Sequence, residues 1–219
     1  MIPNKFVVAT FLDYQKAFDL VNHDILIEKL YCLGIRGRNL NWFRSYLSNR
    51  KMWVMVNGQL SSTEKIINRS VPQGSILGPL LFLIFINDMP NCTTLLSILF
   101  ADDTTVLAAG SDINSVGPLI NNELQKIGVW LKANELSINT MKTKIMIFSN
   151  NKTVPYFKFS FNNNDLNSLQ NPNLITEVER IDSNSENPFF EMLGVFFDEK
   201  LSFGQHCIKV LKKLTALFL

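Results

Sequence analysis

Apolar residues along the chain form short runs and helically spaced sets, which predict an alternation of strands and helices. Residues 5–12 are mostly apolar and have the length of one buried strand. Residues 23–33 carry apolar side chains at helical spacing, with Asn22 as the predicted N-cap and Gly34 as the predicted stop. Residues 39–48 are predicted as a second short helix.

The middle of the chain predicts two hairpins separated by a loop and a helix. Asn57-Gly58, flanked by β-prone residues, favours a type I′ turn and therefore a hairpin. Proline and glycine residues between 72 and 79 predict a loop, and the almost wholly apolar segment 80–87 predicts a buried helix. The run 95–107 predicts a second hairpin.

The last third of the chain returns to a helical period and then to strands. Residues 112–134 repeat apolar residues with the period of a helix, and Gly117-Pro118 is expected to delay or kink it. Residues 144–148 and 189–197 are each predicted as a strand, and a helix is predicted from residue 203 onward.

These elements predict three regions. Residues 1–149 form the main folded unit, and residues 188–219 add a short β segment and the start of a helix. Residues 150–187 contain ten asparagines and little hydrophobic period, so most of this segment is predicted as an exposed, variable loop. The element order β-α-(α)-β-β-α-β predicts an α+β fold of the split βαβ type, with helices on one face of an antiparallel sheet.

Composition narrows the class of protein. With 219 residues, 47% of them hydrophobic and 18% charged, the chain is expected to be globular with one core. Its three cysteines are widely spaced without a CxxC motif, which indicates neither a disulfide framework nor a zinc site. No signal peptide is evident, and the longest apolar run, 79–86, is too short to cross a bilayer, so no membrane partner is expected.

Charge is nearly balanced, at a formal net value of +2, so any binding of nucleic acid must come from local basic clusters. Such clusters include Arg36, Arg38, Arg44, Arg50 and Lys51. Aromatic residues are interleaved with these basic residues, as in a nucleic-acid track. Because such residues are more often half core and half solvent-exposed, no site is assigned to them.

Three acidic residues stand where apolar strands end. Asp102 and Asp103 lie at the tip of the predicted hairpin 95–107, and Asp13 directly follows the strand 5–12. Carboxylates at the ends of two apolar strands are the ligands that a two-metal phosphoryl-transfer site requires. The alternatives are an ordinary polar turn for the doublet and a helix cap for Asp13.

Four segments, in order, resemble the successive palm motifs of reverse transcriptases. They are FLDYQKAFD at 11–19, VPQGSILGP at 71–79, FADD at 100–103 and NTMKT at 139–143. The second and third segments resemble those of the non-LTR (LINE-like) retrotransposon class. MLGV and LSF, within residues 192–203, resemble the hairpin that follows the fourth motif in that class. The resemblance covers nearly the whole chain and implies a polymerase palm.

The resemblance implies an RNA-directed DNA polymerase that joins dNTPs to a primer 3′-hydroxyl with two Mg²⁺ ions. Asp13, Asp102 and Asp103 would be the catalytic and metal-binding residues. Asp13 and Asp102 would bridge the two ions, and Asp103 would complete or support their coordination.

The resemblance also implies four substrate-binding residues. Phe18 would lie beneath the incoming sugar and disfavour a ribose 2′-hydroxyl, and Lys142 would protonate the leaving pyrophosphate or stabilise its charge. Gln73 and Gly74 would belong to a loop that contacts nucleotide and template. The alternatives are core packing for Phe18, a solvated lysine for Lys142 and a simple turn for Gln73-Gly74.

The expected partners are an RNA template, a DNA primer and dNTPs. Compared with the family, the fingers are truncated, and the thumb and endonuclease segments are absent. We therefore expect this chain to be a fragment of a larger polyprotein. That polyprotein is expected to be intracellular and, if active, to be in the nucleus at the integration step. Because both ends look cut, apolar surface is expected to be exposed near residues 1–12 and 205–219. Two alternatives stay open, a catalytically inactive remnant that keeps the palm fold and an RNA-dependent RNA polymerase.

Overall fold

The computed structural model describes residues 6–52, 55–60, 65–151, 154–162 and 175–216. The helices are α1 (His23–Cys32), α2 (Gly37–Leu47), α3 (Leu77–Ile86), α4 (Ile113–Ala133) and α5 (Gly204–Thr215), with short 3₁₀ turns at Ala17–Asp19 and Met89–Cys92. The strands are β1 (Phe6–Leu12), β2 (Arg50–Met52), β3 (Met55–Val56), β4 (Gln59–Leu60), β5 (Lys65–Ile67), β6 (Leu96–Phe100), β7 (Asp103–Gly110), β8 (Lys144–Ser149), β9 (Ser160–Asn162), β10 (Ile175–Glu177), β11 (Glu179–Ile181), β12 (Phe190–Met192) and β13 (Val195–Phe197).

A five-stranded sheet in the order β11-β8-β1-β7-β6 forms the centre of the molecule. β1 pairs antiparallel with β7 on one side and with β8 on the other. β6 pairs antiparallel with β7, whereas β11 runs parallel to β8. The predicted α+β architecture with an antiparallel-dominated sheet is therefore confirmed.

Helices and sheet share one main core. Successive strand residues point to opposite faces, so Val8 of β1 and Val106 of β7 point to the same side as the helices. Their neighbours in this core include Leu26 and Leu30 of α1, Leu81, Phe82 and Phe85 of α3, and Ile120, Leu124 and Ile127 of α4. The predicted placement of helices on one face is confirmed for these three helices.

The opposite face of the sheet is covered by the β12–β13 hairpin. Phe11 of β1 stacks on Phe190 of β12, with ring centroids 4.0 Å apart, and Phe197 of β13 packs in the same cluster. Residues 189–197 thus form a hairpin around Leu193-Gly194, as the resemblance of MLGV to the family's hairpin implies, and not the single strand that the apolar run alone predicts. Positive φ angles at both turn residues, 50° and 81°, reverse the chain.

Local signals in the sequence account for several element boundaries. The Asn22 side chain accepts hydrogen bonds from the backbone N–H groups of Asp24 and Ile25, and Gly34 has φ +94° after the end of α1. Asn57 and Gly58 form the predicted hairpin turn with φ 50° and 79°. Residues 53–54 and 61–64, next to this hairpin, lie outside the described residues.

Two expectations about α4 and the Asn-rich segment need correction. Gly117-Pro118 does not delay α4, which begins at Ile113 because the Asp112 side chain caps it. Within 150–187, β9, β10 and β11 form, and β11 adds an edge strand to the central sheet. Three-residue strands lack the period that reveals longer ones. Residues 163–174 lie outside the described part of the chain, and the three-region division stays a prediction.

The expectation of exposed apolar surface is wrong for β1 and confirmed for α5. β1 is almost wholly buried because β7 and β8, both later in the chain, supply its neighbours. On α5, by contrast, Leu211 and Leu214 are exposed. Residues 1–5 and 217–219 lie outside the described residues. Among the helices described, none is both long and apolar enough to cross a membrane.

Glu123 of α4 is a buried carboxylate that ties the helix to the start of β6. It accepts hydrogen bonds from the Thr93 hydroxyl at 2.8 Å, the Thr94 backbone N–H at 2.7 Å and the Lys126 ammonium at 2.5 Å. Burial by itself raises the pKa of Glu123, but these hydrogen bonds outweigh burial and lower the pKa to about 2. The strand that leads to Asp102 is therefore held to α4 by an ionised group.

Replacing this carboxylate is expected to destabilise the fold. Glu123→Gln weakens charge-assisted hydrogen bonds and should lower the free energy of unfolding at neutral pH by about 2 kcal/mol. The folded-state pKa lies below the ordinary 4.5, so wild type gains this stability above pH 4.5 and loses it as the pH falls towards 2. Urea denaturation at neutral pH and at about pH 3 measures both effects.

The matched control is Glu28→Gln, which alters an exposed glutamate of α1 and should change stability by less than about 0.5 kcal/mol. An equal loss of unfolding free energy in Glu123→Gln and Glu28→Gln would contradict the role assigned to the Glu123 carboxylate. So would a difference between Glu123→Gln and wild type that is the same at both pH values.

Candidate active site

The register of β1 and β7 sets two of the three acids opposite each other. The last paired residues are Leu12 and Thr104, so Asp13 and Asp103 are the next residues on their strands. Directly opposed residues of an antiparallel pair point to the same face, with Cβ atoms ~5 Å apart. Asp102 lies in the turn that joins β6 to β7, after Ala101 with φ +51°. The acids of two sequence motifs therefore meet at one end of the sheet.

Tyr14 holds this end of the sheet together from the buried side. Its hydroxyl donates to the Thr104 hydroxyl at 3.2 Å, and both residues are buried. Burial raises the pKa of Tyr14, so the phenol stays protonated. Each partner of this hydrogen bond directly follows one of the acids, Asp13 or Asp103, so the bond fixes the two acids relative to each other.

The segment before β8 braces the backbone of Asp13. The Asp13 N–H donates to the Thr143 hydroxyl at 3.2 Å, and the Asn139 N–H donates to the Asp13 carbonyl at 2.8 Å. The fourth motif, 139–143, thus contacts the first motif directly. Lys142 lies in the same turn, and its side chain is exposed.

The acids influence one another electrostatically. Burial raises the pKa of Asp13; the Lys142 ammonium lowers it, and the carboxylates of Asp102 and Asp103 raise it further. Burial and the Asp102 carboxylate raise the pKa of Asp103. The charges of Asp102 and Asp103 therefore reach Asp13, and a cation beside these carboxylates would offset their repulsion.

A cleft of about 520 Å³ opens beside this cluster. Asp13, Asp103 and Lys142 line it, together with Phe190 and Met192 of the β12–β13 hairpin. Asp102 does not line it. The cleft is also lined by residues to which the motifs do not point: Lys144, Glu179, Glu186 and Asn187.

Lys144 and Glu179 form an ion pair between β8 and the edge strand β11. Side chains alternate between the two faces of a strand, so Lys144 lies on the same face as Met146, which packs under the β12–β13 hairpin. The position of Lys144 on β8 could therefore have indicated that it faces the cleft. Glu179 lies in a three-residue strand and carries no such signal.

The loop of the second motif is hydrogen-bonded to residues of the first motif that follow Asp13. The Val71 N–H donates to the Phe18 carbonyl at 3.0 Å, and the Gln73 side-chain amide donates to the Asp19 carboxylate at 2.9 Å. Gly74 adopts φ +79°, which favours glycine. The structure therefore brings Phe18, Gln73 and Gly74 into one region, as the predicted substrate loop requires.

Phe18 is partly buried, and its ring lies 4.5 Å from that of Phe82 on α3, with the planes tilted by 31°. Core packing, the alternative role for Phe18, therefore accounts for one side of this ring. Packing also fixes its position, which a role in contacting a sugar would need.

Metal binding by Asp13, Asp102 and Asp103 stays a prediction. Among the described residues, no three His, Cys, Asp or Glu side chains are grouped closely enough to hold one metal ion together. Mg²⁺, however, is commonly bound by one or two carboxylates together with substrate phosphates and water. The hard oxygen donors of Asp13 and Asp103 in one cleft, with raised pKa values, fit such an ion.

Comparison with known families decides what this arrangement belongs to. Residues 3–197 match the family model described as "Reverse transcriptase (RNA-dependent DNA polymerase)". The chain belongs to the reverse transcriptase family. This match runs from β1 through β13 and includes the four palm motifs and MLGV at 192–195, whereas LSF at 201–203 lies beyond it.

Relatives of this reverse transcriptase chain include transposon enzymes. It is 29% identical over 208 residues to a probable RNA-directed DNA polymerase from transposon BS of Drosophila melanogaster, covering 90% of this chain and 21% of that protein. It is 29% identical over 214 residues to the RNA-directed DNA polymerase from mobile element jockey of the same organism, covering 94% and 21%. The predicted membership of the non-LTR (LINE-like) class is confirmed. The chain spans about a fifth of the length of these relatives.

Solved structures show that the reverse transcriptase fold is shared more widely. An apo telomerase from Candida tropicalis, truncated from its C-terminal domain, superimposes with a TM-score of 0.54 at 13% identity, covering 93% of this chain and 35% of that one. At this level of identity the likeness concerns the fold alone.

Removing one charge from the acidic cluster is expected to stabilise this domain. Asp103→Asn relieves repulsion with Asp102 and Asp13, so without divalent cations it should raise the free energy of unfolding by a few tenths to about 1 kcal/mol. The pKa of Asp103 is raised in the folded state, so its ionised form opposes folding, and the gain should shrink as acid protonates the carboxylates. Thermal denaturation in EDTA measures the change. A lower melting temperature for Asp103→Asn than for wild type would contradict the electrostatic assignment.

Gly78 is predicted to be essential for the join between the substrate loop and α3. A Cβ atom built on Gly78 would lie 2.5 Å from the Pro72 carbonyl oxygen, a contact that backbone must shift to relieve. Gly78→Ala should therefore destabilise the protein by about 1–3 kcal/mol, although Gly→Ala inside a helix is normally favourable.

Gly204→Ala at the start of α5 is the matched control, because its Cβ meets only ordinary contacts. Chemical denaturation compares the two variants. Equal stability of Gly78→Ala and wild type would show that the loop tolerates the shift.

Proposed function

We propose that this chain is the catalytic palm of an RNA-directed DNA polymerase, which adds deoxynucleotides to a primer 3′-hydroxyl along an RNA template. One observation carries the proposal: the β1–β7 register sets Asp13 beside Asp103 in an open cleft, with Asp102 in the adjacent turn. The names of the transposon relatives, which describe RNA-directed DNA polymerases, support the same activity.

Asp13, Asp102 and Asp103 are the proposed ligands of two Mg²⁺ ions. Such ions, when bound, activate the attacking hydroxyl and neutralise the triphosphate. The chain itself contributes the placement of the carboxylates, through the Tyr14–Thr104 hydrogen bond and the backbone contacts of Asp13. Holding acids in a fixed position is what catalysis by positioning needs.

Lys142 is the proposed proton donor to the leaving group. In the reaction the primer oxygen bonds to the α-phosphorus, the bond to pyrophosphate breaks, and the departing oxygen gains charge. An ammonium group at the cleft stabilises that charge and can give up a proton to it. Its effect on the pKa of Asp13 supports a position close to the reacting atoms.

Phe18, Gln73 and Gly74 are the proposed contacts with the incoming nucleotide and the template. The ring of Phe18 is held by Phe82 and would collide with a ribose 2′-hydroxyl, which favours dNTPs. The bond between Gln73 and Asp19 keeps the loop against the same segment. Further grip on the template, primer and triphosphate is proposed to come from fingers and thumb segments outside the matched fifth of the relatives.

Primer extension tests the proposal. With poly(rA)/oligo(dT), dTTP and Mg²⁺, we expect product from wild type and a loss of at least about 100-fold in Asp13→Ala, Asp102→Ala and Asp103→Ala. Asp24→Ala, which removes an exposed carboxylate at the start of α1, is the matched control and should retain activity. Equal product from parent and cleft variants would contradict the proposal.

Two outcomes of the same assay separate the alternatives. Because part of the grip is proposed to come from segments outside this chain, absence of product favours an inactive remnant that keeps the palm fold only if the same chain joined to fingers and thumb segments also gives none. Preferential use of UTP over dTTP favours an RNA-dependent RNA polymerase and would contradict the role proposed for Phe18.

A further inference from the structure

Basic charge is concentrated in one stretch of the chain. Residues 29–52 contain six basic residues and no acidic one, so the rest of the chain carries a net charge of −4. Lys29 is partly buried and paired with Asp88, but the side chains of Arg36, Arg38 and Arg44 are exposed. None of the residues that line the catalytic cleft belongs to this stretch.

α2 presents two different faces within this stretch. Leu40 and Leu47 are buried in the main core, and these positions define the inner face of the helix. Arg38, Trp42 and Tyr46 recur every four residues and therefore share a second face, rising ~6 Å per step. Tyr46 is partly buried, and its inner side packs against the main core. We call these three residues, with Arg50 beyond the helix end, the α2 stripe.

Trp42 is a rigidly held but exposed ring. It stacks on Tyr46 with centroids 5.4 Å apart and planes within 10°, and the edge of Phe43 supports it at 5.1 Å. Even so, 52% of Trp42 is accessible to solvent. A large aromatic side chain that is fixed in place yet left in water is typical of a binding surface.

Arginine completes the α2 stripe at its C-terminal end. The Arg50 guanidinium lies 5.5 Å from the centre of the Tyr46 ring and donates to the Tyr46 carbonyl at 3.4 Å. This contact orients the guanidinium before any ligand arrives. Nearby, Arg36 covers the ring of Tyr31 at 3.4 Å, so the same combination of cation and aromatic ring occurs twice in the basic stretch.

We propose that the α2 stripe binds single-stranded nucleic acid, at a site separate from the catalytic cleft. Stacked aromatic rings accept unpaired bases irrespective of sequence, and arginines beside them bind the phosphates. Charge complementarity favours this ligand, since the stretch 29–52 has six basic residues and no acidic one. The acidic residues Asp24 and Glu28 of α1 lie beside Arg44, which is not part of the stripe. The site goes beyond the proposed polymerase activity, because binding here needs neither the carboxylates nor a metal.

Direct binding measurements in EDTA test the inference. The 219-residue chain is titrated into fluorescein-labelled U15 RNA and, separately, dT15 DNA, and anisotropy is recorded. Trp42→Ala and Tyr46→Ala should each weaken binding about tenfold or more, the usual effect of losing one stacking platform. Arg38→Gln and Arg50→Gln should each remove one phosphate contact. The slope of log affinity against log salt concentration should then become less negative by about 0.7 for each variant.

Matched variants outside the stripe serve as controls. Tyr156→Ala removes an exposed aromatic ring, and Lys132→Gln removes an exposed cation from the last turn of α4; both should bind as wild type does. Asp103→Asn should also bind normally and yet lose primer extension, so failure of the catalytic proposal and failure of this one are distinguishable. Circular dichroism confirms that the variants are folded.

Tryptophan fluorescence gives an independent measurement. Binding should quench emission in wild type, and Trp42→Phe, which keeps a ring for stacking, should bind within about threefold of wild type but lose most of that quenching. Tight binding by Trp42→Ala, or equal weakening by Tyr156→Ala, would overturn the inference. The inference would also be overturned if wild type were a dimer and Trp42→Ala converted it to a monomer without loss of RNA or DNA binding. The stripe would then be a contact between two protein chains.

Discussion

The pairing of β1 with two neighbours at once is the constraint on which the rest of the structure depends. β7 and β8 lie on either side of β1, so the register on each side determines what meets at its C-terminal end. The β7 register brings Asp13 beside Asp103, and the segment before β8 brings Lys142 and the Thr143 hydroxyl to the same place. A slip of one residue in either pairing would turn these side chains to the opposite face.

The carboxylates at the acidic end of the sheet lower the free energy of unfolding in the absence of a ligand, and contacts in the surrounding structure offset this loss. Burial and mutual repulsion raise the pKa values of Asp13 and Asp103, and Lys142 opposes this only for Asp13. Buried contacts elsewhere, such as the Tyr14–Thr104 hydrogen bond and the ionised Glu123, hold the acids in place.

Much of this fold could be predicted from sequence, because long elements carry a clear period and motif spacing identifies the acids. α1, α4 and the hairpin that presents Asp102 and Asp103 follow from the pattern directly. β11 does not, since strands of three residues have no period to detect. For the same reason the turn at Leu193-Gly194 follows only from the resemblance of MLGV to the family's hairpin, and not from the apolar pattern. The register could not be predicted either: nothing in the sequence indicates that Tyr14 reaches Thr104, or that Asp103 rather than Asp102 lines the cleft.

Metal-directed cleavage tests the convergence of the acids most directly. Fe²⁺ binds to oxygen ligands in place of Mg²⁺, and with ascorbate and peroxide it cuts backbone only near the bound ion. If the acids share a metal site, cuts should appear both around residue 13 and around residues 102–103, and excess Mg²⁺ should suppress both together. Cuts at only one of these places, or cuts that Asp13→Asn leaves unchanged at residues 102–103, would contradict a shared site.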